Sequence, residues 1–62
     1  MIIETSCNKM YSVRDAGERL SNVYVGFRVK KVAGKFVPVA NAKDQLVRRA
    51  ATTVVSNEVV TI

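Results

Sequence analysis

The 62-residue sequence contains no histidine, no tryptophan and a single cysteine, Cys7. Without histidine the commonest general base is missing, and the five acidic residues are scattered, with no acid–base pair at a meaningful spacing. One cysteine cannot form an internal disulfide, and no group of side chains has the spacing of a metal site. The three glycines are isolated, so the sequence has no glycine-rich phosphate loop. We therefore expect a non-enzymatic protein without a metal or cofactor.

Large aromatic side chains are also few, with two Phe and two Tyr. A chain of this length buries only about 60% of its unfolded surface. We therefore expect one marginal domain, residues 1–62, for which a second copy of the chain would be a stabilising partner. No apolar run reaches membrane-spanning length and the start lacks a signal-peptide pattern, which predicts a cytoplasmic protein without a membrane partner. The lone thiol fits a reducing compartment.

Residues 23–40 give the clearest structural signal, a β-hairpin. Apolar and polar or small side chains alternate over residues 23–30, as they do in a strand with one buried face. A return strand is predicted over residues 36–40. The turn falls within residues 32–35, where Gly34 can adopt a positive φ.

Two registers of this hairpin are open. A two-residue loop, residues 33–34, places Val37 and Val39 on the same face as basic side chains. A three-residue loop, residues 33–35, places both valines with the apolar side chains of the first strand. We favour the three-residue loop, because a slip of one residue moves every side chain to the opposite face. Pro38 cannot donate a ladder hydrogen bond, which places the return strand at a sheet edge or in a bulge.

Helical spacing of apolar residues predicts a short helix on either side of the hairpin. The first is capped by Ser12 and continues to residue 20. The second is capped by Asn41 and covers residues 42–55. Four consecutive β-branched residues weaken its second half, so an alternative makes residues 52–55 a strand. We favour the helix.

Short flanking strands at residues 2–7 and 58–62 complete the prediction. The order β-α-β-β-α-β predicts a small α+β domain around the central antiparallel hairpin, residues 23–40, with two short helices packed on one sheet face. The exposed edges of so small a sheet would favour dimerisation by strand addition.

The net charge of +5 comes entirely from the middle of the chain. Residues 23–49 hold seven basic residues and one acid, whereas the remainder holds three basic residues and four acids. Basic side chains on a strand face can follow a phosphate backbone, and an aromatic ring beside them can stack on a base. Such side chains also serve simply as a solvated face that protects an edge. The candidate nucleic-acid-binding residues are Tyr24, Arg28, Lys30, Lys31, Lys35, Arg48 and Arg49, the last two in a supporting role.

Parts of the chain resemble excisionase and MerR-type DNA-binding domains. Residues 11–20, YSVRDAGERL, are similar to the first helix of that family, residues 28–37 to its wing, and residues 44–46 to the helix after the wing. The resemblance implies DNA binding. The family places a recognition helix where this chain has only residues 21–26, so major-groove docking by that helix is not implied. Residues 34–38, GKFVP, also resemble part of the swapped-hairpin regulators of the AbrB type.

Two hypotheses about function follow from these features. The first is a small basic, non-enzymatic nucleic-acid-binding protein, regulatory or accessory, that uses the basic face of the hairpin. The second is a protein–protein interaction module, such as a phage-type accessory protein, an inhibitor or an assembly subunit. That module would bind through edge strands at residues 36–40 and 58–62. The hypotheses place the contact on different parts of the chain, the hairpin face or the sheet edges.

Overall fold

A computed structural model describes residues 1–15, 17 and 22–61, which fold into an antiparallel β-sheet. No α-helix is present in these residues, so the prediction of an α+β domain with two helices on a sheet face is wrong. Nor do they include a helix with the length and apolar character needed to cross a membrane. A short 3-10 helix, Arg49–Ala51, joins the last two strands. The strands are β1 (Ile2–Thr5), β2 (Met10–Asp15), β3 (Val23–Val32), β4 (Lys35–Pro38), β5 (Gln45–Arg48) and β6 (Thr52–Ser56).

The sheet is built around β3, the longest strand. One edge of β3 pairs with β2, which pairs with β1, which in turn pairs with β6. The other edge of β3 pairs with β5 near its start and with β4 near its end. All these pairings are antiparallel.

The connection between β5 and β6 shows that the sheet is strongly curled. These strands lie at opposite ends of the strand order, with β3, β2 and β1 between them. In a flat sheet that separation would be about 19 Å, from a strand spacing of about 4.8 Å. The chain from Arg48 to Thr52 can span at most about 14 Å. The two edges must therefore approach each other, and the 3-10 helix bridges them.

Each face of the curled sheet carries its own apolar cluster, and we call the two faces the Phe27 face and the Tyr24 face. The Phe27 face buries Ile2, Phe27 and Val29, with Met10, Phe36, Ala42 and Val60 packed against them. The Tyr24 face buries Ile3, Tyr11 and Val13, with Met1, Tyr24 and Val47 packed against them. Because both faces carry buried side chains, β1 and β2 lack the alternation that a half-buried sheet would show.

The first predicted helix is wrong because its first half is the strand β2. Ser12, the predicted N-cap, is buried, and its hydroxyl donates to the carbonyl oxygen of Val60 at 3.2 Å. β2 pairs with β1 on one side and β3 on the other, and residues 11–13 are all buried. These tertiary contacts outweigh the local capping signal. Residues 16 and 18–20, in the second half of the predicted helix, lie outside the described residues.

The second predicted helix is replaced by β5, the 3-10 helix and β6. The alternative that we did not favour, a strand over residues 52–55, is confirmed by β6, which pairs with β1. The run of β-branched residues suits a pleated strand better than a helix. Asn41, the predicted N-cap, lies in a loop with a φ of 61°. Asp44, in the first turn of that predicted helix, is ion-paired with Arg14 of β2 at 3.0 Å.

The two predicted flanking strands have different outcomes. The first is confirmed as β1, which ends at Thr5. The final strand over residues 58–62 is wrong, since residues 57–61 have no regular structure and Ile62 lies outside the described residues. The side-chain oxygen of Ser56 accepts a hydrogen bond from the N–H of Glu58 at 3.1 Å, a local turn that ends β6.

The hairpin itself is confirmed, but the register that we favoured is wrong. Its loop has two residues, Ala33 and Gly34, and Lys30 pairs with Val37. The φ angles of 52° at Ala33 and 81° at Gly34 are those of a type I′ turn, whose twist matches that of the strands. Turn geometry therefore outweighs the gain from placing the valines on one face. β4 lies at the sheet edge, where the missing N–H of Pro38 breaks no ladder.

Candidate nucleic-acid interface

Three of the basic residues predicted to bind nucleic acid, Arg28, Lys30 and Lys35, extend the Tyr24 face along the hairpin. Arg28, Lys30 and Val32 lie an even number of residues from Tyr24 along β3 and therefore share its face. Lys35 lies opposite Val32 beside the turn. Residues opposite each other in an antiparallel pair share a face, so the three cations point to the same side. All three are exposed, and neither ion pair formed among the described residues involves them.

Lys31 and Arg48, although predicted to belong to the same site, lie on the Phe27 face. Lys31 is opposite Phe36, and its Nζ lies 5.6 Å from the centroid of that ring. Arg48 is opposite Val23 in the β3–β5 pairing. The structure therefore does not bring all the predicted basic residues together, because the pleat separates Lys31 from its neighbour Lys30.

Tyr24 and Arg49, the remaining predicted residues, contact each other. The guanidinium carbon of Arg49 lies 4.5 Å from the centroid of the Tyr24 ring, a cation–π geometry. The same guanidinium donates to the carboxylate of Asp15, the cross-strand neighbour of Tyr24. The N–H of Arg49 donates to the carbonyl oxygen of Asn22 at 3.1 Å. Arg49 thus fastens the 3-10 helix to the sheet, and stacking of a base on this face of the ring would require Arg49 to move.

Two lysines outside the predicted set, Lys9 and Lys43, line a cleft together with Arg28. Lys9 ends the turn between β1 and β2, where its N–H donates to the hydroxyl of Thr5 at 3.3 Å. Lys43 belongs to the loop between β4 and β5. That loop is held against β3 by a hydrogen bond of 3.2 Å from the N–H of Val39 to the carbonyl oxygen of Arg28. Only the strand pairing brings these lysines near Arg28, so no local sequence pattern could have selected them.

The loop and the sheet border an open cleft of about 520 Å³ beside Arg28. Three cationic side chains line it, against the single carboxylate of Asp44, which is ion-paired with Arg14. Hydrogen-bonding groups and a buried aromatic residue complete the lining. The polar and aromatic lining residues are Lys9, Tyr11, Arg28, Asn41, Lys43, Asp44 and Gln45. The arrangement favours an anionic occupant that can also accept and donate hydrogen bonds.

Comparisons of the chain with protein-family models, with curated proteins and with solved structures found no significant match. The resemblance to excisionase and MerR-type domains gains no support from them, and the segment compared with their first helix begins as β2. In the part of the chain that the structure describes, no three His, Cys, Asp or Glu side chains are grouped to hold a metal ion.

Proposed function

We propose that this protein binds nucleic acid without catalysing a reaction, through a basic surface composed of Lys9, Arg28, Lys30, Lys35 and Lys43. The observation that carries the proposal is that cations from three separate segments, Lys9, Arg28 and Lys43, line one cleft, with Lys30 and Lys35 on the same sheet face as Arg28. Those segments are the β1–β2 turn, the hairpin, and the loop before β5. None of the five is ion-paired with an acid in the described residues. A phosphate backbone is the common polyanion that such a surface attracts.

A regulatory or accessory role in the cytoplasm is part of the same proposal. The cleft offers positive charge and hydrogen bonds rather than an acid–base pair, which favours binding over catalysis. Cys7 is exposed in the turn between β1 and β2, and a free exposed thiol is compatible with a reducing compartment.

The affinity for nucleic acid should depend steeply on salt. If the basic surface neutralises four or five phosphates, raising the salt concentration from about 50 to about 200 mM should weaken binding about 100-fold. Fluorescence anisotropy with a labelled oligonucleotide measures the affinity directly. A strand of the same sequence on an uncharged peptide backbone is the control and should not bind. Absence of binding at low salt, or an affinity that does not change with salt, would reject the proposal.

The edge of β6 favours a second candidate function, a protein–protein contact by strand addition. Among the described strands, β6 pairs only with β1, and its Val54 and Val55 are 52% and 46% exposed. The opposite edge strand, β4, contains Lys35 and Pro38, residue types that discourage strand addition. Residues 50–57, by contrast, contain no charge. This edge takes the place of the predicted edge at residues 58–62, and a second copy of the chain is the partner that we assign to it.

Replacing Val54 with lysine should prevent this association, because lysine on an edge strand discourages strand addition and pairing two copies would bring like charges close together. Light scattering over a range of protein concentrations should show wild-type dimers and a monomeric Val54→Lys variant. Val59→Lys is the matched control, since Val59 is 82% exposed in the tail and lies outside β6. A wild-type protein that stays monomeric at every concentration, or a Val59→Lys variant that dissociates equally, would rule out the β6 edge as the contact.

A further inference from the structure

The cleft beside Arg28 has the dimensions and the chemistry of a site for a single nucleotide. Its volume of about 520 Å³ falls within the range of small-molecule sites, about 300–1,000 Å³. The amides of Asn41 and Gln45 provide both donors and acceptors, which a nucleobase edge requires. A surface that only follows a phosphate backbone needs neither a concave cleft nor amide side chains.

The charges in the cleft indicate where a phosphate would lie. Arg28 provides a planar guanidinium that can bind two phosphate oxygens at once, while Lys9 and Lys43 act as point charges. The carboxylate of Asp44 does not cancel them, because it is ion-paired with Arg14 at 3.0 Å. The cleft therefore retains an excess of positive charge.

The backbone around the cleft is held in place before any ligand binds. The segment carrying Arg28 pairs with β2 through Tyr11, which is only 9% exposed. The loop that contributes Asn41 is closed by a hydrogen bond of 3.2 Å from the N–H of Ala42 to the carbonyl oxygen of Val39. A site whose frame is already ordered loses less entropy on binding.

We propose that this cleft takes one unpaired nucleotide of a single strand. Lys9, Arg28 and Lys43 bind the phosphate, and the amides of Asn41 and Gln45 hydrogen-bond the base. A base inside a duplex is stacked and paired, so it can enter only if it is first extruded. The inference rests on the proposed function and narrows it, because it predicts a preference for single strands.

The test compares a single strand with a duplex of the same length at one salt concentration, by fluorescence anisotropy. The wild-type protein should bind the single strand about fivefold more tightly or better, although the duplex has the higher charge density. Gln45→Ala removes a hydrogen-bonding group without changing the charge and should lower single-strand affinity about fivefold while leaving duplex affinity unchanged. Arg48→Ala is the control on the Phe27 face and should not change the preference between strands.

The outcomes separate this inference from the proposed function. Equal affinity for both forms, unaffected by Gln45→Ala, would overturn the cleft assignment and leave nucleic-acid binding in place. Absence of binding to either form would overturn both. A nucleoside monophosphate that binds as tightly as the strand would identify a free nucleotide as the ligand and overturn the assignment to a strand. Circular dichroism of Gln45→Ala confirms that the comparison is made on folded protein.

Discussion

Replacing Gly26 with alanine is expected to unfold the domain. A Cβ atom at this position would overlap the carbonyl oxygen of Ser12 and would lie 2.6 Å from the Cα of Val13. These are backbone atoms in the middle of β2, so the clash can be relieved only by separating β2 from β3. Overpacking of this kind costs about 3 kcal/mol or more when no side chain can move aside. A single core in a chain this short supplies only about 3–5 kcal/mol in total.

Urea denaturation followed by circular dichroism measures this effect, and Gly26→Ala should show little or no cooperative transition. Gly34→Ala is the control, because a Cβ there meets nothing within 4 Å. Its φ of 81° still makes the variant less stable, by about 1 kcal/mol, but it should remain folded. A Gly26→Ala protein as stable as the wild type would show that β2 and β3 do not approach as closely as described.

Gly26 lies at the point in β3 where the close contact with β2 affects the pairing of the other strands. It is the last residue of β3 that pairs with β5, and the pairing with β4 begins at Val29. β3 thus exchanges one partner for another along the same edge, next to the residue that leaves no room for a Cβ against β2. A glycine in a strand commonly marks such a bend or close backbone contact.

The sequence predicted the hairpin because its signal is local. The alternation over residues 23–30 lies within one strand, and Gly34 marks the turn. The register could not be derived from the same pattern, since it depends on whether Ala33 adopts a left-handed φ. Few non-glycine residues do so, and the type I′ turn compensates by matching the twist of the strands.

The two helices were predicted from the spacing of apolar residues, and in the structure that spacing arises from strands. In β2, burial on both faces places three apolar or small residues in succession, which hides the period of two. Around the 3-10 helix, two short strands place their apolar residues at intervals that imitate a helix, although Leu46 is 60% exposed. Both errors arise from pairing between segments distant in sequence, which no single window of residues contains.

The candidate site was predictable only along β3 and its turn. Alternation alone places Arg28 and Lys30 together, and it also places Lys31 on the opposite face. The positions of Lys9 and Lys43 require the strand order and the path of the loop across β3. The contact between Tyr24 and Arg49 likewise depends on the curl that brings the 3-10 helix onto the sheet.

Reversing two charges of the basic surface should weaken nucleic-acid binding about 100-fold, whereas the same change on the opposite face should have a much smaller effect. The variant Lys30→Glu with Lys35→Glu removes two phosphate contacts and replaces attraction by repulsion. The matched control, Lys31→Glu with Arg48→Glu, has the same net charge but changes the Phe27 face. All four side chains are exposed, so both proteins should fold, as circular dichroism would verify.

The salt dependence of the two variants provides a second, independent readout. Losing two phosphate contacts should reduce the slope of log affinity against log salt by about 1.4 to 1.8, whereas the control should keep the wild-type slope. If net charge alone drove binding, the two variants would weaken equally and their slopes would agree. That result would mean that the basic side chains only solvate the sheet face. The protein–protein contact through the edge of β6 would then be the function to test. A loss confined to the Lys30 and Lys35 variant would instead mean that the pleat, by separating Lys30 from Lys31, defines which side of the sheet meets the phosphates.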